Sequence, residues 1–179
     1  MFMYLGIKKY NNSKFKYHAY LFKYEGEIRN KIIEYKFNEK SYLCHTFWKL
    51  IVNDNKIYNF IKDYDIIISV PMYKTKKTKR GYNQAEIIAK EIGKTKLITY
   101  EKNILVKTKN TETQSSLNKT NRLNNIKGAF KIQNAEKIRN KKVIIFDDIY
   151  TTGATANECA KIVKQAGVKE VSILTIAKD

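Results

Sequence analysis

The apolar and polar positions divide the chain in two. From Glu25 to about Phe37, Ile28, Ile32 and Tyr35 recur at helical spacing with charges between them, which predicts an amphipathic helix. A second helix is expected from Tyr42 to Ile51, with room to continue past Asn55. The first twenty or so residues are rich in Tyr and Lys and carry no readable period. From Asp65 the pattern changes. "DIIISV" is a short, continuous apolar run rich in β-branched residues, as in a strand buried on both faces. Pro71 ends it, and the basic stretch "YKTKKTKRGY" reads as a loop. Asn83 can then cap a helix, with Glu86 completing a capping-box-like pair. The apolar stripe of that helix is Ala85, Ile88, Ala89 and Ile92, and Gly93 suits the position just past its end.

The second half continues the alternation. "NILV" (Asn103 to Val106) is a strand candidate, and the polar segment from Lys107 to Lys127 reads as a loop with a short helix around Leu117 to Leu123. "VIIF" (Val143 to Phe146) is the clearest buried strand. A helix follows from about Ala156 to Ala166, striped by Ala156, Cys159, Ala160 and Val163 and closed by Gly167. "VSILTIA" (Val171 to Ala177) is the last strand. Strand, loop and helix in this order predict an α/β fold of parallel βαβ units with right-handed crossovers. The expected organisation is a helical segment over residues 1–62 packed on a core domain over 63–179.

Composition narrows the function. Lys and Arg number 35 against 17 Asp and Glu, a net charge of +18. That balance suits a polyanionic partner, and equally suits the Lys-, Asn-, Ile- and Tyr-rich usage of an AT-rich genome. No apolar run is long enough for a secretory signal or a membrane span, so a soluble, cytoplasmic protein without membrane insertion is expected. Cys44 and Cys159 are far apart and no C-x-x-C occurs, so no zinc site is expected and both thiols read as reduced and buried. His18 and His45 lack metal-ligand spacing and read as structural.

Candidate chemistry gathers in "VIIFDDIYTTGAT", Val143 to Thr155. In a parallel α/β sheet, ligands bind beyond the carboxyl ends of the strands. Asp147 and Asp148 are expected there, immediately after the strand. Two adjacent carboxylates repel each other and are costly to bury unless solvent, a metal or hydroxyl groups receive them. They can accept from a vicinal diol such as ribose, or hold Mg²⁺ directly or through water. Thr151, Thr152, Gly153, Ala154 and Thr155 precede a helix N-terminus, where free N–H groups favour an anion. A diol site next to a phosphate cradle describes a ribose 5-phosphate site. The plainer reading also stands: Asp148 turns the chain, and Thr152 or Thr155 caps the helix. Neither a Walker A loop nor a G-x-G-x-x-G is present.

These residues resemble the 5-phosphoribosyl-1-pyrophosphate (PRPP) signature of type I phosphoribosyltransferases. "VPMYKTKKTKRGYNQAE" (Val70 to Glu86) and "KTKNTETQSSLNKTNRLNNIKGAF" (Lys107 to Phe130), with the C-terminal "IFDDIYTTGAT", narrow the likeness to the ComF (competence protein F) family. The match covers roughly Asp65 to Lys178. The resemblance implies a type I phosphoribosyltransferase-like, Rossmann-like parallel sheet flanked by helices, with a flexible hood. The cysteine-rich zinc-binding segment that often opens family members has no counterpart here. Tyr73 stands where many members have His, and Lys76 and Lys107 stand where Arg is common, keeping the charge without its bidentate fork. Thr151 stands where some phosphoribosyltransferases carry a carboxylate base, so no catalytic residue is assigned.

By that resemblance, Asp147 and Asp148 face the ribose hydroxyls, with Mg²⁺ bound mainly by the ligand and water. Thr151 to Thr155 bind the 5-phosphate. Tyr73 and Lys74 fall in the pyrophosphate region, with Lys76, Lys79 and Arg80 as cationic support. Gln114, Arg122 and Asn124 fall in the hood and are candidates for nucleotide contacts. Two readings follow. One is a transferase linked to natural competence, moving phosphoribose from PRPP to an unknown acceptor. The other is a non-catalytic module of the DNA-uptake machinery that binds single-stranded DNA, through its basic surface and tyrosines, alongside other competence proteins.

Overall fold

A computed structural model describes residues 5–37, 42–111 and 125–179. Its main sheet has six strands: β1 (Gly6–Lys9), β2 (Tyr17–Lys23), β3 (Ile66–Ser69), β4 (Thr99–Tyr100), β7 (Lys142–Tyr150) and β8 (Glu170–Lys178). The spatial order is β1-β2-β8-β7-β3-β4, and every pairing is parallel except β1 with β2. A separate antiparallel ribbon pairs β5 (Leu105–Lys107) with β6 (Phe130–Ile132). The helices are α1 (Gly26–Phe37), α2 (Leu43–Asn53), α3 (Asn55–Lys62), α4 (Lys74–Arg80), α5 (Gln84–Lys94) and α6 (Ala154–Gln165).

Two cores, one on each face of the sheet, explain the unbroken apolar runs. Ile67, Ile144, Phe146 and Leu174 pack with α1, α2, α3 and α5. Ile66, Ile68, Val143, Ile145, Val171 and Ile173 pack with α6 and the β5–β6 ribbon. Successive residues of "VIIF" thus enter opposite cores, so a central strand of period two still needs every position apolar.

Several expectations change. The segment over residues 1–62 holds the expected helices but also the β1–β2 hairpin, and β2 is an interior strand with Ala19, Tyr20, Leu21 and Phe22 buried. Its mixed composition concealed it. The second helix stops at Asp54, whose carboxylate accepts from Lys56 N and Ile57 N at 2.9 Å each and starts α3 instead. The basic stretch after Pro71 is not a loop, since Lys74–Arg80 form α4, ended by Gly81 at φ +82°. Glu86 does not complete a capping box; Asn83 alone caps α5, and Glu86 pairs with Lys77 at 2.6 Å. Gly93 lies inside α5, where a Cβ would meet Tyr100 Cβ at 2.5 Å, so it serves close helix–strand approach. The strand expected at Asn103 to Val106 is β5, outside the main sheet, and the two-residue β4 takes the place beside β3. The short helix expected around Leu117 to Leu123 lies outside the described residues. Among the described residues, no helix is long and apolar enough to cross a membrane.

Candidate functional site

The site begins with a step in the sheet. β3 last pairs with β7 at Ser69 and Phe146, and Val70 N donates to Phe146 O at 2.9 Å. Pro71 has no N–H to continue the ladder, and the chain turns away into α4. β7 and β8 run on together to Tyr150 and Lys178. The flank of β7 past Phe146 is therefore open. Asp147 and Asp148 lie on it, within the strand rather than beyond its end as the sequence suggested. A cleft of about 570 Å³ opens over this step.

The two carboxylates part company. Asp147 acts on Lys107 and on Cys159 of α6; Asp148 acts on Tyr35 of α1, across the sheet. Asp147 Oδ1 also accepts from Asp148 N at 2.9 Å, which fixes its orientation. Burial pushes the Cys159 thiol well up, and Asp147 adds to that.

Next to them, Gly153 sits at φ +76° as the N-cap of α6. A Cβ there would run into the Tyr150 ring and hydroxyl, so conformation and space both require glycine. Asn157 latches the loop: its Nδ2 donates to Gly153 O at 3.0 Å, and its Oδ1 accepts from Lys14 N at 3.1 Å. Thr152 Oγ1 accepts from Ala154 N at 3.4 Å, but the N-cap is Gly153 and makes no side-chain cap bond, so neither Thr152 nor Thr155 caps the helix. Thr151, Gly153, Ala154 and Thr155 line the cleft with both aspartates; Thr152 does not.

The opposite rim is cationic. Lys76 Nζ donates to Thr111 O at 2.6 Å, and Arg80 donates to Gln84 Oε1 at 3.0 Å. Lys107 is half-buried, 5.6 Å over the Phe130 ring. Burial, then the neighbouring Lys76 charge, hold its ammonium below the usual lysine value, while Cys159 and Asp147 act the other way. Tyr73, Lys76, Arg80 and Lys107 line the cleft; Lys74 and Lys79 do not. Gln114, Arg122 and Asn124 lie outside the described residues.

Sequence reasoning missed the far wall and the floor. Tyr24, Arg29 and Ile33, in and just before α1, also line the cleft. On the chain Arg29 looks like any solvated helix charge, so no spacing marked it. Behind the lining residue Thr175, buried His18 donates Nε2–H to Thr175 Oγ1 at 2.8 Å, because the Thr175 hydroxyl is itself donated to Ala177 O. The His18 ring lies 4.3 Å from that of Tyr150, and its Nδ1 is a buried acceptor with no partner.

As a metal site the residues offer little alone. Among the described residues no group of three His, Cys, Asp or Glu side chains is placed to hold an ion. Two diverging carboxylates suit a cation that arrives already coordinated by its ligand's oxygens.

A family model described as phosphoribosyl transferase domain matches residues 78–179. Competence protein F of Haemophilus influenzae is 31% identical over 151 residues, which cover 82% of this chain and 66% of that protein. Competence protein ComFC of Streptococcus pneumoniae is 29% identical over 161 residues, 90% of this chain and 68% of that protein. The DNA utilization protein YhgH of Escherichia coli K12 is 26% identical over 114 residues, 64% of this chain and 49% of that protein. The chain thus spans less than two thirds of the first of these relatives and about half of the last.

Proposed function

The chain belongs to the competence protein F family and carries its phosphoribosyl transferase domain, and from that premise we propose that its cleft binds PRPP or another ribose 5-phosphate ligand with Mg²⁺. The observation that carries this reading is one cleft lined by Asp147 and Asp148 on the open flank of β7 and by the Thr151–Thr155 turn at the start of α6. Ribose hydroxyls donate to the carboxylates. The 5-phosphate accepts from the loop's N–H groups and threonine hydroxyls at the positive end of the helix. Lys76, Arg80 and Lys107 face a pyrophosphate from the other rim. Mg²⁺, held chiefly by ligand oxygens and water near Asp147 and Asp148, would neutralise charge on the leaving group.

In a transfer reaction, a nucleophile on the acceptor bonds to C1 of the ribose as the C1–O bond to pyrophosphate breaks. The leaving electron pair goes to pyrophosphate, and the cationic rim stabilises it. No side chain is assigned as general base. A role in DNA uptake, in the cytoplasm, is proposed from the names of the competence and DNA utilization relatives.

PRPP with Mg²⁺ should raise the melting temperature by several degrees, and Asp147→Ala combined with Asp148→Ala should abolish the shift. No shift in the parent protein would overturn the assignment.

A second reading has one observation in its favour. α4, "KTKKTKR", carries five cations, no acid and no buried residue. Such a helix fits a polyphosphate backbone, here single-stranded DNA. Binding should then weaken steeply with salt, with a shallower slope in a Lys74→Gln, Lys79→Gln variant. A flat salt dependence would remove this reading.

A further inference from the structure

Among the described residues, four cations line the cleft, and three are committed within the chain. Lys76 holds Thr111 O, Arg80 holds Gln84 Oε1, and Lys107 lies over Phe130 under the influence of Asp147. Arg29 is the fourth. It is exposed, and among the described residues its side chain meets no hydrogen-bond or ion-pair partner.

Arg29 is not on a loose segment. α1 buries Ile28, Ile32 and Tyr35 in the core. Tyr24 N, just ahead of the helix, donates to Lys178 O at 2.8 Å. At the other end the Tyr35 hydroxyl donates to Gln84 O at 3.1 Å, and the Tyr82 hydroxyl donates to Tyr35 O at 2.8 Å. A guanidinium is therefore presented to the cleft from a fixed helix. Ile33, one turn on, and Tyr24 complete that wall with apolar and aromatic surface. The Thr/Gly loop and the aspartates line the same cleft.

We propose that this wall is the acceptor subsite and that the acceptor is a planar, anionic heterocycle, its ring against Tyr24 and Ile33 and its acidic group on Arg29. The inference deepens the ribose-phosphate reading and rests on it. A guanidinium fork pairs bidentately with a carboxylate or a phosphate and gains nothing from a neutral ring edge. A neutral base would leave Arg29 without a partner in the closed complex, so charge on the acceptor sets specificity. The acidic group can be a carboxylate or a phosphate, and the test separates the two.

The experiment is calorimetry on the full chain saturated with ribose 5-phosphate, using matched probes. Uracil and orotate differ by one carboxylate; pyridoxine and pyridoxine 5′-monophosphate differ by one phosphate. The expected result is binding of at least one anionic probe about tenfold or more tightly than its neutral partner. Orotate alone identifies a carboxylate, the monophosphate alone a phosphate. Arg29→Gln should erase the preference, and Arg29→Lys should restore only part of it, since the charge returns without the fork. Equal binding of charged and neutral probes, or an unchanged preference in Arg29→Gln, would overturn the proposal. So would loss of ribose 5-phosphate binding in Arg29→Gln, which would move Arg29 into the phosphate–ribose site. A parent protein that fails to bind ribose 5-phosphate overturns the underlying reading, and this one falls with it.

Discussion

Asp147 and Asp148 are consecutive residues whose carboxylates work on opposite faces of the sheet, Asp147 on Lys107 and Cys159, Asp148 on Tyr35. The pair lines one cleft, yet each carboxylate turns to different neighbours. Asp147→Asn should therefore lower the Lys107 pKa further, because it removes a carboxylate that opposes burial. Asp148→Asn should leave Lys107 alone. NMR titration of ¹³C-methylated lysines reads the difference, and equal effects of the two variants would contradict the divergence. Asp147→Asn should also cost about 1–2 kcal/mol of stability, since it takes a counter-charge from a half-buried cation.

His18 makes folding sensitive to acid. Burial, and then the Lys178 charge, hold its imidazole down at about 3 from an ordinary 6.5. In that interval the unfolded chain binds a proton that the folded chain refuses. The His18 contribution is fully present above pH 6.5 and is lost as pH falls toward 3. The slope is about 1.4 kcal/mol per pH unit for one such group. Urea melts at pH 7 and pH 4.5 should differ accordingly, and His18→Phe should shrink that difference while costing the hydrogen bond to Thr175.

Gly153 carries two constraints at once. Gly153→Ala should destabilise by about 1–3 kcal/mol, through the left-handed φ and the collision with Tyr150. Tyr150→Phe in the same chain should recover part of the steric cost and none of the conformational one. Thermal melts of the two single variants and the double variant close the cycle; strict additivity would deny the contact.

At the opposite end of the sheet, the Tyr64 hydroxyl lies 2.6 Å from Ser172 Oγ and 2.8 Å from Glu170 Oε1, and Lys16 pairs with Glu170 at 2.6 Å. Burial pushes the Glu170 carboxyl up, but Lys16, Tyr64 and Lys142 together outweigh it and hold it low. A depressed carboxyl contributes stability that is lost as pH falls through its folded value. Tyr64→Phe should cost about 1–2 kcal/mol at neutral pH and raise the Glu170 pKa, read by denaturant melts and carboxyl titration.

What could be read from the chain followed from periodicity and local chemistry. "DIIISV", "VIIF" and "VSILTIA" announced central strands because their apolar residues are divided between two cores. Asn83 announced a cap and Gly153 an unusual turn, because each acts within a few residues of itself. The rest depends on partners far along the chain. β2 looks like a Tyr- and Lys-rich stretch until β8 pairs with it, and Gly93 looks like a helix stop until Tyr100 arrives beside it. Arg29 reaches the site only because α1 docks on α5 through Tyr35 and Gln84. No local pattern encodes such placements.

The pairing of β2 with β8 also sets a timetable. His18 lies opposite Ile173 and Lys23 opposite Lys178, so β2 waits for β8, made much later in the chain, before its ladder can form. On the ribosome, "YHAYLFK" has only β1 as a sheet partner until β8 emerges. The interval exposes an aromatic edge, the kind of surface that holding chaperones recognise in nascent chains. Thr175 in the floor of the cleft and the buried His18 behind it can meet only after β8 exists, so the cleft takes its native shape only once β2 and β8 have paired.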